Sequence, residues 1–314
     1  KIYMTKNLIE NQTTINEDKN LYAVDWLKVE VNVNHNRDSI NDGLIAYCAK
    51  NDYDNPTLSY KKMKVGSFNT HLEIKSVADN KLIIQNNFGK WLNGQNIIGS
   101  TNINKLVHDV VVKLSESYDI NPTEEQLEAI LEGCFKIYLI DINRGILFDT
   151  KEQALTYLER IKLNGSYPKR QKYIKRNTVY FGLGSDRKEI KYYHKGKEIV
   201  ANKHYQACLT EELKALADRM VRLEIRLKPI ELNELRLQHG YDWDDETIQY
   251  ILDKDYARLN LPKPVCELEL PKNYLKFLSC YKSGTLIDCY KSSSIKRMKR
   301  DMIRLYGIEL DNMA

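Results

Sequence analysis

The stretch Val221–Lys228, VRLEIRLK, alternates strictly: Val221, Leu223, Ile225 and Leu227 fall on one side of an extended chain and Arg222, Glu224, Arg226 and Lys228 on the other. Such a strand belongs in a sheet with one face on an apolar core and the other turned to water, which places the charged residues on an exposed polar face. Leu21–Asn34, Thr70–Ser76, Lys81–Gln85, Phe135–Asn143, Asn177–Phe181 and Glu189–His194 read as further strands, the last two joined as a hairpin by Gly182-Leu183-Gly184-Ser185. Ser100–Tyr118 carries Ile103, Leu106, Val107, Val110, Val111 and Leu114 at helical spacing. Thr123 with Gln126 has the form of a capping box opening a helix to about Glu132, and Asp149–Leu163 repeats the cap and the periodicity. Helices are also expected at about His204–Met220, Pro229–His239, Asp244–Asn260 and Ser292–Tyr306, with a Pro-punctuated loop at 262–271. The pattern predicts an α+β fold: an antiparallel sheet with helices packed on one face, then a small helical C-terminal region. It divides into a polar N-terminal arm at 1–20, a main domain at 21–229 and a helical region at 230–314.

A chain of 314 residues with 42% hydrophobic and 29% charged residues can bury a sizeable core. Its apolar runs are short, so no spanning helix is expected. The chain opens on Lys1 rather than methionine, which reads as a trimmed start, and 1–20 lacks the apolar segment of a signal peptide. Six cysteines without a CxxC pair read as reduced cytosolic thiols rather than a zinc ribbon or a disulfide framework. No phosphate-binding GxxxxGK[ST], no GxGxxG after a strand, no HExxH and no GxSxG is present, which argues against ATP hydrolysis, dinucleotide redox and serine esterase chemistry.

The formal charge is only +5, but it is unevenly spread. Arg160–Lys203 holds 13 basic residues against Asp186, Glu189 and Glu198, a local +10 that leaves −5 for the remainder. Tyr167, Tyr173, Tyr180, Phe181, Tyr192 and Tyr193 are interleaved with these cations, a pattern suited to phosphates and stacked, unpaired bases. Candidate contacts to nucleic acid are Lys172, Lys175, Arg176, Arg187, Lys188, Lys191 and Lys197, joined by Arg297 and Arg300 in the second basic segment, Lys282–Arg304. The plainer alternative is a solvated charged face with half of the rings in strand core.

Four groups could carry chemistry. His71 and Glu73 share a strand face and could hold a divalent cation or simply face solvent. Asp141 lies inside the apolar run Ile137–Ile142, where an acid needs a cation or a hydrogen-bond partner. Glu224 could complete the set or pair with Arg222 or Arg226. Tyr192 and Tyr193 face opposite sides of their strand, and Lys191 and Lys195 are read on the face of Tyr193, where their charge would favour a phenolate. Tyr193 is therefore the better nucleophile candidate of the two.

Several segments in order resemble the rolling-circle replication initiators of filamentous phages (the gene II/X type) and, more distantly, those of small Gram-positive plasmids. THLEIK at 70–75 and WLNGQNIIGSTNI at 91–103 resemble a strand and an LxGHNxFG block, with Gln95 where His is usual. IYLIDIN at 137–143 resembles a hydrophobic-Arg-Ile-Asp strand, with Leu139 for the Arg. NTVYFG at 177–182 with KYYHKGKE at 191–198 resembles Tyr-x-Gly followed by Tyr-x-Lys-x-x-Glu, and MVRLEIRLK at 220–228 the hydrophobic-Arg-hydrophobic-Glu strand. SSSIKRMKRDMIRLYGIEL at 292–310 resembles a C-terminal helix ending in YGID.

The resemblance implies a metal-dependent nicking-joining endonuclease whose tyrosine attacks a phosphodiester and leaves a free 3′-OH. By that pattern Tyr193 is the nucleophile, His71 and Glu73 are a variant of a His-hydrophobic-His metal pair, and Asp141 and Glu224 are the other acids near a Mg²⁺ or Mn²⁺. Lys195 would stabilise the phenolate or the leaving oxygen. The implied partners are single- and double-stranded DNA at a replication origin and a host helicase and polymerase, in the bacterial cytoplasm and with no membrane, the chain acting alone or as a homodimer. A non-catalytic origin- or operator-binding regulator, and a single-strand packaging protein, are the competing readings.

Overall fold

Strict alternation in the strand at 221–228 is realised in the computed structural model, which describes residues 21–40, 44–49, 52–60, 63–68, 70–201, 208–261, 270–306 and 310. The strands are β1 (Leu21–Asn32), β2 (Leu44–Ala49), β3 (Asp52–Tyr60), β4 (Met63–Ser67), β5 (Thr70–Ala78), β6 (Lys81–Asn86), β7 (Lys136–Leu147), β8 (Lys172–Lys175), β9 (Thr178–Phe181), β10 (Lys188–His194) and β11 (Met220–Leu227). Nine of them form one sheet in the order β4-β5-β6-β1-β7-β11-β10-β9-β8, every neighbour antiparallel, while β2 and β3 pair separately. The expected α+β architecture is the one observed.

One face of this sheet is apolar. Val29 and Val31 of β1, Ile74 of β5, Ile84 of β6, Ile140 and Ile142 of β7, Ile190 of β10 and Leu223, Ile225 and Leu227 of β11 are buried in a single cluster with residues of four long helices. Ile103–Ser115 contributes Val107, Val110, Val111 and Leu114; Glu124–Leu131 contributes Ile130; Lys151–Asn164 contributes Leu158 and Ile161; Asp245–Ala257 contributes Ile248 and Leu252. Each fully buried aliphatic side chain is worth about 1.5–3 kcal/mol against the entropy of ordering it. The helices begin where their caps sit: Asn102 accepts from Lys105 N at 2.9 Å, and Thr123 with Gln126 closes the expected capping box. Gly182 and Gly184 turn the β9–β10 hairpin at φ of 74° and 79°, conformations that a side chain resists.

Several boundaries differ from the sequence reading. The helix expected at 204–220 is Glu211–Asp218, because Met220 already pairs with Leu147 in the sheet, and 202–207 lie outside the described residues. The helix after Pro229 stops at Leu235, where Arg236 adopts a left-handed φ of 57°. Lys195 does not continue β10: it opens the helix Lys195–Ala201, whose start is capped by His194, with Nδ1 accepting from Lys197 N at 3.0 Å and Nε2–H donating to Asp218 O at 2.9 Å. The short helix Phe88–Asn93, the edge strand β8 and the helix Lys272–Lys282 are elements that periodicity missed.

Helices Pro229–Leu235 and Asp245–Ala257 pack into the sheet's core, and a separate apolar cluster joins Leu270, Phe277, Leu278, Met298, Met302 and Leu310. The residues 1–20 and 262–269, expected as an arm and a loop, lie outside the described residues.

Candidate active site

The polar face gathers charge where β7, β11 and β10 run side by side. Register places Asn143 opposite Glu224 and Glu224 opposite Lys191; one step along, Arg222 faces Tyr193, and one step back, Asp141 faces Arg226. Directly opposed residues share a face with their Cβ atoms about 4.5–5.5 Å apart. Tyr193 Oη donates to Glu224 Oε2 at 3.0 Å, and Lys191 forms an ion pair with Oε1 of the same carboxylate. Asp141 accepts two hydrogen bonds from Arg226, from Nε and Nη2, each 2.7 Å.

Glu224 and Arg222 were expected on an exposed face, and they are not exposed: Arg222 is 1% and Glu224 3% accessible. The segment 94–98 and the helix Lys195–Ala201 account for this. Arg222 Nη1 donates to Asn96 O and Nη2 to Ile97 O, both at 2.7 Å. Lys195, fully buried, donates to Asn96 Oδ1 at 2.8 Å and Glu198 Oε2 at 2.7 Å. Asn96 Nδ2 and Asn87 Nδ2 both donate to Asp25 Oδ1 at 2.6 Å. A second apolar cluster, Ile97, Ile199, Leu209, Leu216, Ala217 and Met220, closes this end of the face.

Burial sets the ionisation of the group. It pushes Asp141 up to about 7, with Arg226 opposing and Glu224 reinforcing the shift. Burial pushes Glu224 the same way, but Lys191, a hydrogen bond from Asp141 and the Tyr193 hydroxyl together hold it down to about 2. The two carboxyls thus retain one proton between them up to about neutral pH. The Tyr193 phenol is raised well above its ordinary value by burial and then by Glu224, and Arg222 pulls the other way. Burial lowers Lys195, with the charge of Arg222 adding to the effect.

The structure therefore brings Tyr193, Lys191, Asp141 and Glu224 together, with Lys195 behind Asn96. Tyr192 is turned to the other face, buried in the core beside Phe181 at a ring separation of 6.2 Å. His71 and Glu73 are elsewhere on the polar face. The row containing Glu73 runs through Gln85, Lys28 and Leu139, so β5 stands three strand spacings from β7, about 14 Å. Glu73 accepts from Gln85 Nε2 there. No group of three or more His, Cys, Asp or Glu side chains is placed to hold a metal among the described residues. With Asp141 taken by Arg226, Glu224 by Lys191 and Tyr193, and the other two donors strands away, the four expected ligands do not fit around one cation in this arrangement.

The expected DNA contacts divide in two. Lys172 donates to Lys162 O and Leu163 O at the end of the helix Lys151–Asn164; Lys188 is buried against Asp255 at 2.7 Å; Arg187 pairs with Glu231 and Glu234; Lys191 pairs with Glu224. Lys175 and Arg176 at the β8–β9 turn, Lys197, and Arg297 and Arg300 on the helix Ser292–Tyr306 are exposed. Sequence reasoning passed over Asp25, Asn87 and Asn96, although Asn96 lies in the WLNGQNIIGSTNI block that marked the segment. Gln95 acts within its own turn, accepting from Ile97 N at 2.7 Å and Ile98 N at 3.1 Å.

Compared with known proteins, residues 23–246 match the family model described as the N-terminal part of the phage replication-associated protein, the gene-2 protein. The replication-associated gene-2 protein of Enterobacteria phage I2-2 is 23% identical over 261 residues, covering 78% of this chain and 76% of that protein. A solved rolling circle replication initiator protein from Geobacillus stearothermophilus aligns with a TM-score of 0.34 at 14% identity, over 83% of this chain and 96% of that one.

Proposed function

The chain belongs to the phage replication-associated (gene-2) protein family, whose N-terminal model spans most of its length, and from this premise we propose that it is a site-specific nicking-joining endonuclease that starts rolling-circle replication with Tyr193 as nucleophile. The observation that carries the reading is the 3.0 Å hydrogen bond from the Tyr193 hydroxyl to Glu224 within a buried ring of cations. A phenol is a poor nucleophile until a base takes its proton. The Asp141–Glu224 pair supplies that base once its shared proton is lost near neutral pH.

In the step, the Tyr193 proton passes to the carboxyl pair while Oη bonds to phosphorus. The P–O3′ bond breaks, the 5′ phosphate of the downstream strand stays on the tyrosine and the released 3′ oxygen takes up a proton. One phosphate ester replaces another, so the 3′-OH can reverse the step and rejoin ends without ATP, in keeping with the missing nucleotide-binding loop. Lys191, Arg222 and Arg226 oppose the negative charge of the arriving phosphate. Exposed Lys175, Arg176 and Lys197 lie on the outside for contacts to the DNA backbone. The partners in this reading are origin DNA, unpaired at the nick, and a polymerase that extends the 3′-OH.

The test uses single-stranded oligonucleotides tiling the replicon that encodes the chain. The parent protein is expected to cleave one of them and retain the fragment downstream of the cut on Tyr193, located by mass spectrometry, and Tyr193→Phe is expected to do neither. Cleavage by Tyr193→Phe at the parent rate, or tight binding with no cleavage by the parent under any divalent cation, overturns the reading.

A further inference from the structure

We propose that the helix Ser292–Tyr306 docks in the major groove of double-stranded DNA, so that the chain grips duplex through its C-terminal helices and handles the unpaired strand at the sheet. The inference goes beyond the nicking reading, which concerns the strand at Tyr193, and shares with it only the partner, origin DNA.

The helix is two-sided. Ile295, Met298 and Met302 pack with Leu270, Phe277, Leu278 and Leu310 into an apolar cluster separate from the sheet's core, which mounts the helix against Lys272–Lys282. On the other side Ser293, Lys296, Arg297, Arg300 and Ile303 recur at steps of three and four and are all exposed, so they form one continuous stripe. Elsewhere the chain neutralises its cations, as Arg187 with Glu231 and Glu234, Lys188 with Asp255 and Lys191 with Glu224 show. Lys296, Arg297 and Arg300 have no ion-pair or hydrogen-bond partner among the described residues. Lys296 and Arg300 are like charges one turn apart, an arrangement that weakens an isolated helix and that a bound polyanion relieves.

The other polyanions match this stripe less well. Unpaired strands are held by aromatic rings set among cations, and the stripe carries no ring. A basic amphipathic helix lies on a lipid surface by burying its apolar side there, and here that side is already taken by the cluster. Duplex DNA asks for neither. A 15-residue helix is a rod about 22 Å long, and the major groove, about 12 Å wide and walled by phosphates, admits such a rod with cations on its outward side.

The test measures binding of the full chain to labelled duplexes tiling the replicon, to the matching single strands and to phosphatidylglycerol vesicles. The proteins are the parent, the triple variant Lys296→Ala, Arg297→Ala, Arg300→Ala, and the charge-keeping pair Arg297→Lys, Arg300→Lys, each checked by circular dichroism and thermal melting. The triple variant is expected to bind duplex about tenfold or more weakly and to lose about 2–3 from the magnitude of the log-salt slope, with single-strand binding and nicking within about threefold of the parent. The charge-keeping pair is expected to retain the parent slope. A parent that binds no duplex overturns the inference, as does a triple variant that binds duplex within about threefold of the parent, whether or not it has lost the vesicles. An equal loss on single strands also overturns it, by assigning the stripe to the unpaired strand. The two readings fail separately: a parent that grips duplex but cleaves no oligonucleotide loses the nicking reading alone, and a parent that nicks while the triple variant is unchanged on duplex loses only this one.

Discussion

Tyr192 and Tyr193 are adjacent, nearly identical in sequence setting and opposite in fate, so replacing each by phenylalanine tests the fold and the chemistry separately. Tyr192 is fully buried on the apolar face, and its hydroxyl has no hydrogen-bond partner among the described residues. Burial pushes its phenol well above the ordinary value, and the tyrosines around it, Tyr157, Tyr256 and Tyr167, push the same way. Leaving one hydroxyl unpaired in such a site costs about 1–3 kcal/mol relative to pairing it. Tyr192→Phe keeps the ring and its edge-on contact with Phe181 and removes only the unpaired oxygen. The expected outcome is a chain more stable by about 1 kcal/mol, which raises Tm by about 2 °C in a protein of this size, with nicking unchanged. Urea denaturation with a constant m-value measures the first and oligonucleotide cleavage the second. A loss of about 1 kcal/mol or more would instead mean that the hydroxyl is paired, by a neighbouring tyrosine or a bound water.

Further predictions concern the polar face. Because the folded state raises Asp141, its contribution to stability is fully present below about pH 4 and is lost as pH rises through about 7; Glu224, lowered, contributes above about 4.5 and loses that only as pH falls through about 2. Between pH 5 and 8 only Asp141 of the pair changes, so stability should fall by about 2–3 kcal/mol in urea titrations and Asp141→Asn should flatten the slope. Nicking should quicken over the same interval in the parent chain as the pair becomes able to accept a proton, and a flat rate profile would remove the carboxyl pair as the base. The His71→Ala, Glu73→Ala double variant should nick within about threefold of the parent, since β5 lies about 14 Å from the tyrosine's neighbours; a hundredfold loss would return those residues to the site. Replacing Lys175 and Arg176 by alanine should weaken oligonucleotide binding and reduce the magnitude of its log-salt slope by about 1–2, whereas Lys172→Ala should lower the melting temperature by exposing the last carbonyls of the helix Lys151–Asn164 without changing that slope.

Much of the fold was legible because periodicity is a local property. Ile103, Leu106, Val107, Val110, Val111 and Leu114 announce one helix face, and the alternation at 221–228 announces one sheet face, whatever they meet later. The elements that escaped are those without a period. Lys195–Ala201 begins with Lys-Gly-Lys-Glu and is stabilised by a histidine cap and by packing of Ile199, and β8 is four residues at an edge. In the site, that Tyr192 and Tyr193 face opposite sides and that Lys191 lies on the side of Tyr193 followed from strand alternation, whereas Lys195, read on the same strand, opens a helix instead; burial of Asp141 followed from the apolar run around it. That Lys172, Arg187 and Lys188 would turn to protein partners did not follow, since a list of charges says nothing about which acids and carbonyls they meet.

By itself the amino-acid order determined which side chains share a face, which segments coil or extend, and where basic residues and acids crowd the chain. Tertiary structure alone decided which faces meet: β7, β11 and β10 became neighbours from distant parts of the chain, while β5 was set three strands aside, separating His71 and Glu73 from the acids they had been grouped with. It also decided that Arg222 and Glu224, on the polar side of their strand, would be covered by 94–98 and a short helix. The reason is that alternation acts over two residues, whereas strand order and cover are settled by loop closure and the packing of whole elements, whose energies no local pattern records.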